Sequence, residues 1–181
     1  LFETIEKFHN TASRFENLKK AIDENRSGRL DTVKDEIEFA LSYEEETHML
    51  VDLIDEGKLP LRVTHNDTKL NNILFDNVSN KGICIIDLDT VMPGLSLYDF
   101  GDSIRFGANT AAEDEKDLSK VSLNLSLYEA YVKGYLGSAK DSLTDLEIEL
   151  LPMGAKMMTY ECGIRFLTDY LNGDTYFKIH R

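Results

Sequence analysis

His65, Asp67, Lys69 and Asn72 fall within eight residues, and Asp87 and Asp89 close an apolar run that follows them. An Asp can orient a hydroxyl and accept its proton. An Asn offers a neutral oxygen, and two further acids offer charged ones. Together with a Lys beside the first Asp, these are the groups that phosphoryl transfer from a magnesium nucleotide requires. That chemistry is mostly positioning and charge neutralisation. General-base help contributes roughly 10²–10⁴-fold, and magnesium takes hard oxygen ligands, one or two of them from protein. Asp67 and Asn72 are five residues apart, so one loop turn can present both. Asp87 ends the neighbouring apolar segment, and Lys69 is placed to meet the charge of a transferring phosphoryl group.

The elements that must hold these groups follow from periodicity and turn chemistry. Phe2, Ile5, Phe8, Phe15, Leu18 and Ile22 predict a helix over 2–24, ended by Ser27-Gly28. Leu30, Val33, Ile37, Leu41, Met49, Leu50, Leu53 and Ile54 predict a second over about 31–55, stopped by Asp55-Glu56-Gly57 and Pro60. Segments 61–64, 73–76 and 82–87 read as strands, the last two a hairpin around a polar turn. After Pro93-Gly94 come a short helix over 97–106 and another through Leu118, Val121, Leu125, Tyr128, Val132 and Tyr135. Thr144-Asp145-Leu146-Glu147 matches a capping box. It opens a long helical region that Pro152, Gly154 or Gly163 would kink or split, ending near Asn172-Gly173. The expected class is α+β, mainly helical, with a small sheet carrying the polar loops.

Composition narrows the partners. The 181 residues fit one domain or one large lobe, and 42% hydrophobic residues suffice for an ordinary core. With 33 acidic and 20 basic side chains the formal charge is −13, which argues against nucleic acid, whose binding needs clustered Lys and Arg. No basic run addresses an anionic membrane, and no stretch of 18 apolar residues spans one. The acid runs 35–38 and 44–46 read as solvated helix faces, as do His9 and His48 on acidic helices. Cys84 and Cys162 have neither zinc nor CxxC spacing; Cys84 reads as a buried small hydrophobe, and the pair points to a reduced, cytoplasmic setting. Neither has the Cys-x-Pro-x-Arg context of a sulfatase nucleophile. Met153, Met157 and Met158 read as core.

The segment His65-x-Asp67-x-Lys69-x-x-Asn72 resembles the catalytic loop of protein-kinase-like enzymes, H-x-D-x-x-x-x-N. Leu88-Asp89 stands where protein kinases have Phe-Gly, and Ile86-Asp87-Leu88-Asp89 is instead similar to the aminoglycoside phosphotransferase and choline kinase family. Tyr98-Asp99-Phe100-Gly101-Asp102 resembles that family's Y-D-x-A/G segment. Val63 to Asn72, Leu88 to Gly94, Arg165 to Leu171 and Tyr176-Phe177 are similar to N-acetylhexosamine 1-kinases, which move the ATP γ-phosphate to the anomeric hydroxyl of GlcNAc or GalNAc. The resemblance implies a kinase-like C-terminal lobe with Asp67 as base, aided by Lys69. Asn72 and Asp87 would hold Mg²⁺ and thereby the ATP phosphates, with Asp89 a further ligand or a supporting group. His65 and Asp99 would support the loop, and Arg165 and Tyr176 would contact the sugar. Arg offers several directed donors for such hydroxyls.

The resemblance also implies an N-terminal lobe with a phosphate loop, a strand Lys and a helix Glu. No G-x-G-x-x-G or P-loop occurs here, and every readable strand lies mid-chain. The chain is therefore expected to be the C-terminal lobe alone, opening at Leu1 and stopping at His180-Arg181, binding ATP poorly and turning over little. Other readings compete. A relative acting on an aminoglycoside, choline or homoserine would place acidic or aromatic groups around a cation. A pseudokinase would bind without transfer, against which the set Asp67, Asn72 and Asp87 speaks. Singly, these residues would be turn formers or caps; Lys69 a surface Lys; Arg165 a partner for Glu161 one helical turn away; Tyr176 a packing aromatic.

Overall fold

The computed structural model describes residues 2–113 and 115–177; Leu1, Asp114 and residues 178–181, His180 and Arg181 among them, lie outside the described residues. The chain is mainly helical with two small antiparallel sheets, the α+β class expected. It divides into two compact units, one built on residues 60–158, the other on 7–59 and the segment from 159 onward.

The first unit holds both sheets. Strand β1 (Arg62–Thr64) pairs with β4 (Met92–Gly94) in the register Arg62↔Gly94, Val63↔Pro93, Thr64↔Met92. Strands β2 (Ile73–Phe75) and β3 (Gly82–Ile85) form the expected hairpin, with Ile73 opposite Ile85. Its turn is folded by Asp76, whose Oδ1 accepts the Ser79 amide at 2.7 Å. The third predicted strand stops at Ile85, two residues short, and β4 was not anticipated, because three residues around a Pro carry no periodic signal. Pro93 is tolerated in a two-stranded sheet because one side of the strand needs no donor.

Helix α4 (Ser96–Gly107) is the core of this unit: Leu97, Tyr98, Phe100, Gly101 and Ile104 are all buried. The rings of Tyr128, Tyr131 and Tyr135, on α5 (Leu125–Ala139), surround Phe100 with centroids 5.1–6.4 Å away. Full burial of a side chain such as Phe100 or Leu97 contributes roughly 1.5–3 kcal/mol. Helix α6 (Asp145–Glu149) opens on the capping box read from sequence, and α7 runs Leu151–Asn172. The split falls at Leu150, before Pro152, which sits in the first turn of α7 where its missing N–H costs nothing. Neither Gly154 nor Gly163 breaks the helix. Gly154 has another role: a β-carbon there would lie 2.5 Å from the Leu97 carbonyl oxygen, and one at Gly101 would collide with the Gly154 carbonyl. The two glycines let α4 and α7 approach backbone to backbone.

Glu147 ties this unit together. Arg62 donates to both its carboxylate oxygens, at 2.6 and 2.7 Å. Ser96 Oγ donates to Oε1 at 2.7 Å and the Thr144 amide to Oε2 at 2.8 Å. One fully buried carboxylate thus joins β1, the start of α4 and the cap of α6.

In the second unit Phe15, Leu18 and Ala21 of α1 (Thr11–Glu24) pack with Ile37 and Ala40 of α2 (Lys34–Leu41) and with Ile164 and Leu171. Helix α3 (Glu44–Asp55) buries Leu50. The first predicted helix is shorter than expected. Lys7 has φ 54°, outside the helical range, and Asn10 caps α1 by accepting the Ser13 amide at 2.8 Å. The second breaks at Ser42-Tyr43, where Ser42 Oγ donates to the Phe39 carbonyl, and Glu44, Glu45 and Glu46 then favour a new N-terminus. Helix α5 likewise begins at Leu125, after a separate turn over 118–120.

Two smaller expectations are corrected. His9 is buried, its Nδ1 2.9 Å from Glu161 Oε1, with Thr11 Oγ1 donating to Oε2; it is not a solvated helix residue. Cys84 is exposed, because both faces of the β2–β3 hairpin are largely open in this chain. His48 is exposed, and Met157 and Met158 are core, as expected.

Candidate functional site

The loop after β1 is held in shape from below by α4. Asp99 accepts the His65 amide on Oδ2 at 2.9 Å and the Asn66 amide on Oδ1 at 2.7 Å. One turn on, Ser103 Oγ donates to the Thr68 carbonyl at 3.1 Å, and Thr68 Oγ1 donates to the Asp99 carbonyl at 2.5 Å. Asn66 takes a left-handed conformation, φ 64°, which Asn tolerates better than most residues. Its amide nitrogen donates to the Thr90 carbonyl at 3.0 Å, and Thr64 Oγ1 donates to its Oδ1 at 2.9 Å. Sequence reading gave Asn66 no role, and no local motif marks the partners Asp99 and Thr90, which lie more than twenty positions away. A β-carbon at Gly94 would sit 2.7 Å from Asn66 Oδ1, so the glycine in β4 keeps that space open.

His65 is a strut. Its Nε2 lies 3.0 Å from the Ile86 carbonyl and its Nδ1 accepts the Asp67 amide at 3.3 Å. Since Nδ1 accepts, Nε2 carries the proton and donates to Ile86. Both ring nitrogens are thereby occupied, joining the loop to the strand that leads into Asp87.

Asp67 carries one engaged oxygen. Lys69 Nζ lies 2.8 Å from Oδ2, and Asn72 Nδ2 donates to the same atom at 2.9 Å and to the Asp67 carbonyl at 2.8 Å. No protein donor reaches Oδ1 among the described residues. The Asp67 side chain is about a quarter exposed. Lys69 is held above its ordinary pKa, first by its hydrogen bond to Asp67, against desolvation, with the charges of Asp87 and Asp102 adding to the effect. It stays an ammonium.

Only the nitrogen of an amide can donate to a carbonyl and a carboxylate, so the Asn72 contacts leave its Oδ1 for another partner. The Ile86 amide donates to the Asn72 carbonyl at 3.0 Å, which sets the start of the Asp87 turn beside Asn72. Asp87 itself is left-handed, φ 64°, and exposed, and its side chain makes no hydrogen bond or ion pair with described residues; the same holds for the Asp89 side chain in the following turn. A neutral oxygen and one or two free carboxylates suit Mg²⁺, which keeps much of its coordination for phosphate and water. They form no closed cage: no group of three or more His, Cys, Asp or Glu that could hold a metal exists among the described residues.

Arg165 and Tyr176 belong to the second unit. There Asp169 folds the chain back after α7, accepting the amides of Thr175 and Tyr176 on Oδ1 and of Phe177 on Oδ2 at 2.8–2.9 Å. Burial works to raise the Asp169 pKa, but these amides leave it lowered. Tyr176 OH is thereby set 3.5 Å from Arg165, whose guanidinium lies over the Tyr176 and Phe177 rings. Glu161, the partner sequence spacing offered to Arg165, is engaged by His9 and Thr11. Arg165 keeps most of its donors for other contacts.

No helix among the described residues is long and apolar enough to cross a membrane. A family model described as the phosphotransferase enzyme family, APH, matches residues 2–143, a span that contains every residue of the loop, its α4 support and the Asp87 turn. With most of its length matched, the chain belongs to the kinase-like phosphotransferase enzyme family.

Proposed function

We propose that this chain supplies the catalytic half of an ATP-dependent kinase that phosphorylates an N-acetylhexosamine, GlcNAc or GalNAc, at its anomeric hydroxyl. The observation that carries the reading is the asymmetry of Asp67: Oδ2 is fixed by Lys69 and Asn72, while Oδ1 has no protein donor. A hydroxyl bound to Oδ1 would be aimed and would release its proton there as its oxygen bonds to the γ-phosphorus and the bond to the β-phosphate oxygen breaks. Asp67 orients, Lys69 meets the charge of the phosphoryl group, and His65 and Asp99 keep the loop rigid. Asn72 Oδ1 and Asp87, with Asp89 beside them, would hold Mg²⁺. The metal, when bound, neutralises the phosphates and keeps them in line.

Arg165 and Tyr176 are proposed as acceptor contacts. A guanidinium suits a neutral sugar with ring hydroxyls and an acetyl oxygen, and disfavours a cationic acceptor such as choline or an aminoglycoside. We further propose that a nucleotide-holding lobe completes the enzyme in the same polypeptide, and that residues 1–181 alone turn over little. Leu74, Ile83 and Ile85 of the hairpin beside Asp87 are 45–65% exposed, an apolar surface of the sort another domain or an adenine ring covers. A cytoplasmic setting fits an ATP-using enzyme.

The test is ATP consumption by the complete gene product against GlcNAc, GalNAc, choline, homoserine and kanamycin, repeated with Asp67→Asn. Activity on the hexosamines that the substitution removes is the expected result. Activity on another acceptor would overturn the sugar assignment, activity indifferent to the substitution would overturn the site, and no transfer to any acceptor would favour a binding-only role.

A further inference from the structure

Among the described residues one buried side-chain oxygen lacks any hydrogen-bond partner, Asp102 Oδ2. Asp102 is 5% exposed. Its Oδ1 is occupied by Arg105, whose Nε donates at 3.0 Å, and Arg105 also reaches Glu113. A carboxylate oxygen stripped of water and given no donor is costly, and such an atom calls for an explanation.

The position of Asp102 supplies one. It sits on α4 between two residues that shape the loop: Asp99, which holds the His65 and Asn66 amides, and Ser103, which holds the Thr68 carbonyl. The residue after Thr68 is Lys69. Its side chain is about one-third exposed and long enough to change partner, and its ammonium is at present spent on Asp67 Oδ2. The charges that bear on that ammonium are Asp67, Asp87 and Asp102. Asp67 and Asp87 are the two acids that substrate and metal claim in the reading above; Asp102 is the one that neither claims.

We propose that Asp102 is a positioning residue for Lys69: its unpartnered Oδ2 is the second seat to which the ammonium moves when Asp67 engages an acceptor hydroxyl. The step transfers no proton and breaks no covalent bond. Lys69 remains charged throughout and exchanges one carboxylate for another, while Asn72 keeps Asp67 Oδ2 in place and Oδ1 faces the acceptor. The inference rests on the assignment of Asp67 as the group that receives the acceptor.

A crystal structure of the Asp67→Asn variant tests the seat without needing activity, and it leaves Asp102 and the α4 core untouched. With the charge at position 67 removed, Lys69 Nζ is expected within hydrogen-bond distance of Asp102 Oδ2. Lys69 staying on the substituted side chain, turning to solvent, or an ordered water capping Oδ2 would overturn the proposal. Kinetics of the complete gene product then test its use. Asp102→Asn is expected to lower kcat on the order of tenfold at unchanged KM for the acceptor, with Asp102→Glu recovering part of the loss. Combined with Lys69→Met it should add nothing further, because the two residues act through one contact. Additive losses would mark Asp102 as merely structural. If no acceptor is phosphorylated, the catalytic assignment fails while the crystallographic result still decides whether the second seat exists.

Discussion

Asp99 and Asn66 are joined by a hydrogen bond of 2.7 Å from the Asn66 amide to Oδ1, and the same carboxylate takes the neighbouring His65 amide on its other oxygen. This relationship fixes the one left-handed residue of the loop, immediately before Asp67. The carbonyl and side chain of Asp67 then fall where Asn72 and Lys69 can reach them. A helix laid under a loop thus sets the direction of a side chain through the amides that precede it.

Asp99→Ala should therefore cost both stability and turnover. Two charge-assisted bonds are lost, and the left-handed Asn66 loses its anchor; together these are worth roughly 3 kcal/mol. Chemical denaturation of this chain measures the first effect. In the complete gene product kcat should fall about 10²-fold, a misplaced catalytic group being enough for that loss. An unchanged kcat in a folded variant would show that Asp67 is held by other means.

Glu147 predicts an acid-labile brace. Burial works to raise its pKa, but Arg62, Thr144 and Ser96 outweigh burial and hold it at about 2, against an ordinary 4.5. A depressed carboxylate stabilises the fold fully above the unfolded pKa and loses that contribution as pH falls towards the folded one. Roughly 3 kcal/mol should accordingly disappear between about pH 4.5 and pH 2. Thermal melts across that window should show a steep fall in Tm for the native chain. The fall should be shallower for Glu147→Gln, which begins about 3 kcal/mol less stable because it strands Arg62.

The Gly101–Gly154 approach predicts opposite effects of one substitution at two places on α7. Gly154→Ala forces a β-carbon against Leu97 and should destabilise by about 1–3 kcal/mol. Gly163→Ala meets nothing within 4 Å and should stabilise by about 0.5–1 kcal/mol, through helix propensity alone. Equal effects in urea denaturation would mean that the close approach does not constrain the helix pair.

Sequence made the local chemistry legible and left the long-range support hidden. The capping box at Thr144 and Glu147, the hairpin from Ile73 to Ile85 and the stop at Gly173 each rest on residues a few positions apart, and each is found where expected. The break at Ser42-Tyr43 was missed because apolar spacing runs straight through it; a hydroxyl and three glutamates decide the matter. Strand β4 exists only through its pairing with β1. Within the site, the candidates for base, ligands and Lys could be named from spacing. Asn66 and Asp102 could not, because what distinguishes each is a partner, or a missing partner, set by how α4 packs beneath the loop; for Glu147 the cap was legible but its pairing with Arg62, 85 positions away, was not.

Lys69 offers the sharpest separation of chemistry from stability. Its contact with Asp67 is partly solvated, and such pairs contribute no more than about 1 kcal/mol to folding. Lys69→Met should lower the Tm of this chain by no more than about 2–4 °C, the shift so small a term gives at this chain length. The raised pKa means that the cation persists below its ordinary 10.5 and is lost only as pH climbs past that value. No inflection in the rate between pH 6 and 9 should therefore come from Lys69. If the ammonium meets the charge of the phosphoryl group, Lys69→Met should lower kcat of the complete gene product by roughly 10–100-fold, as loss of one electrostatic donor does. Lys69→Arg should restore part of the rate, since a guanidinium carries the charge in a different shape. A Met variant that melts early but turns over normally would reverse the assignment, making Lys69 a strut for the loop and leaving Asp67 and the metal ligands to carry transfer alone.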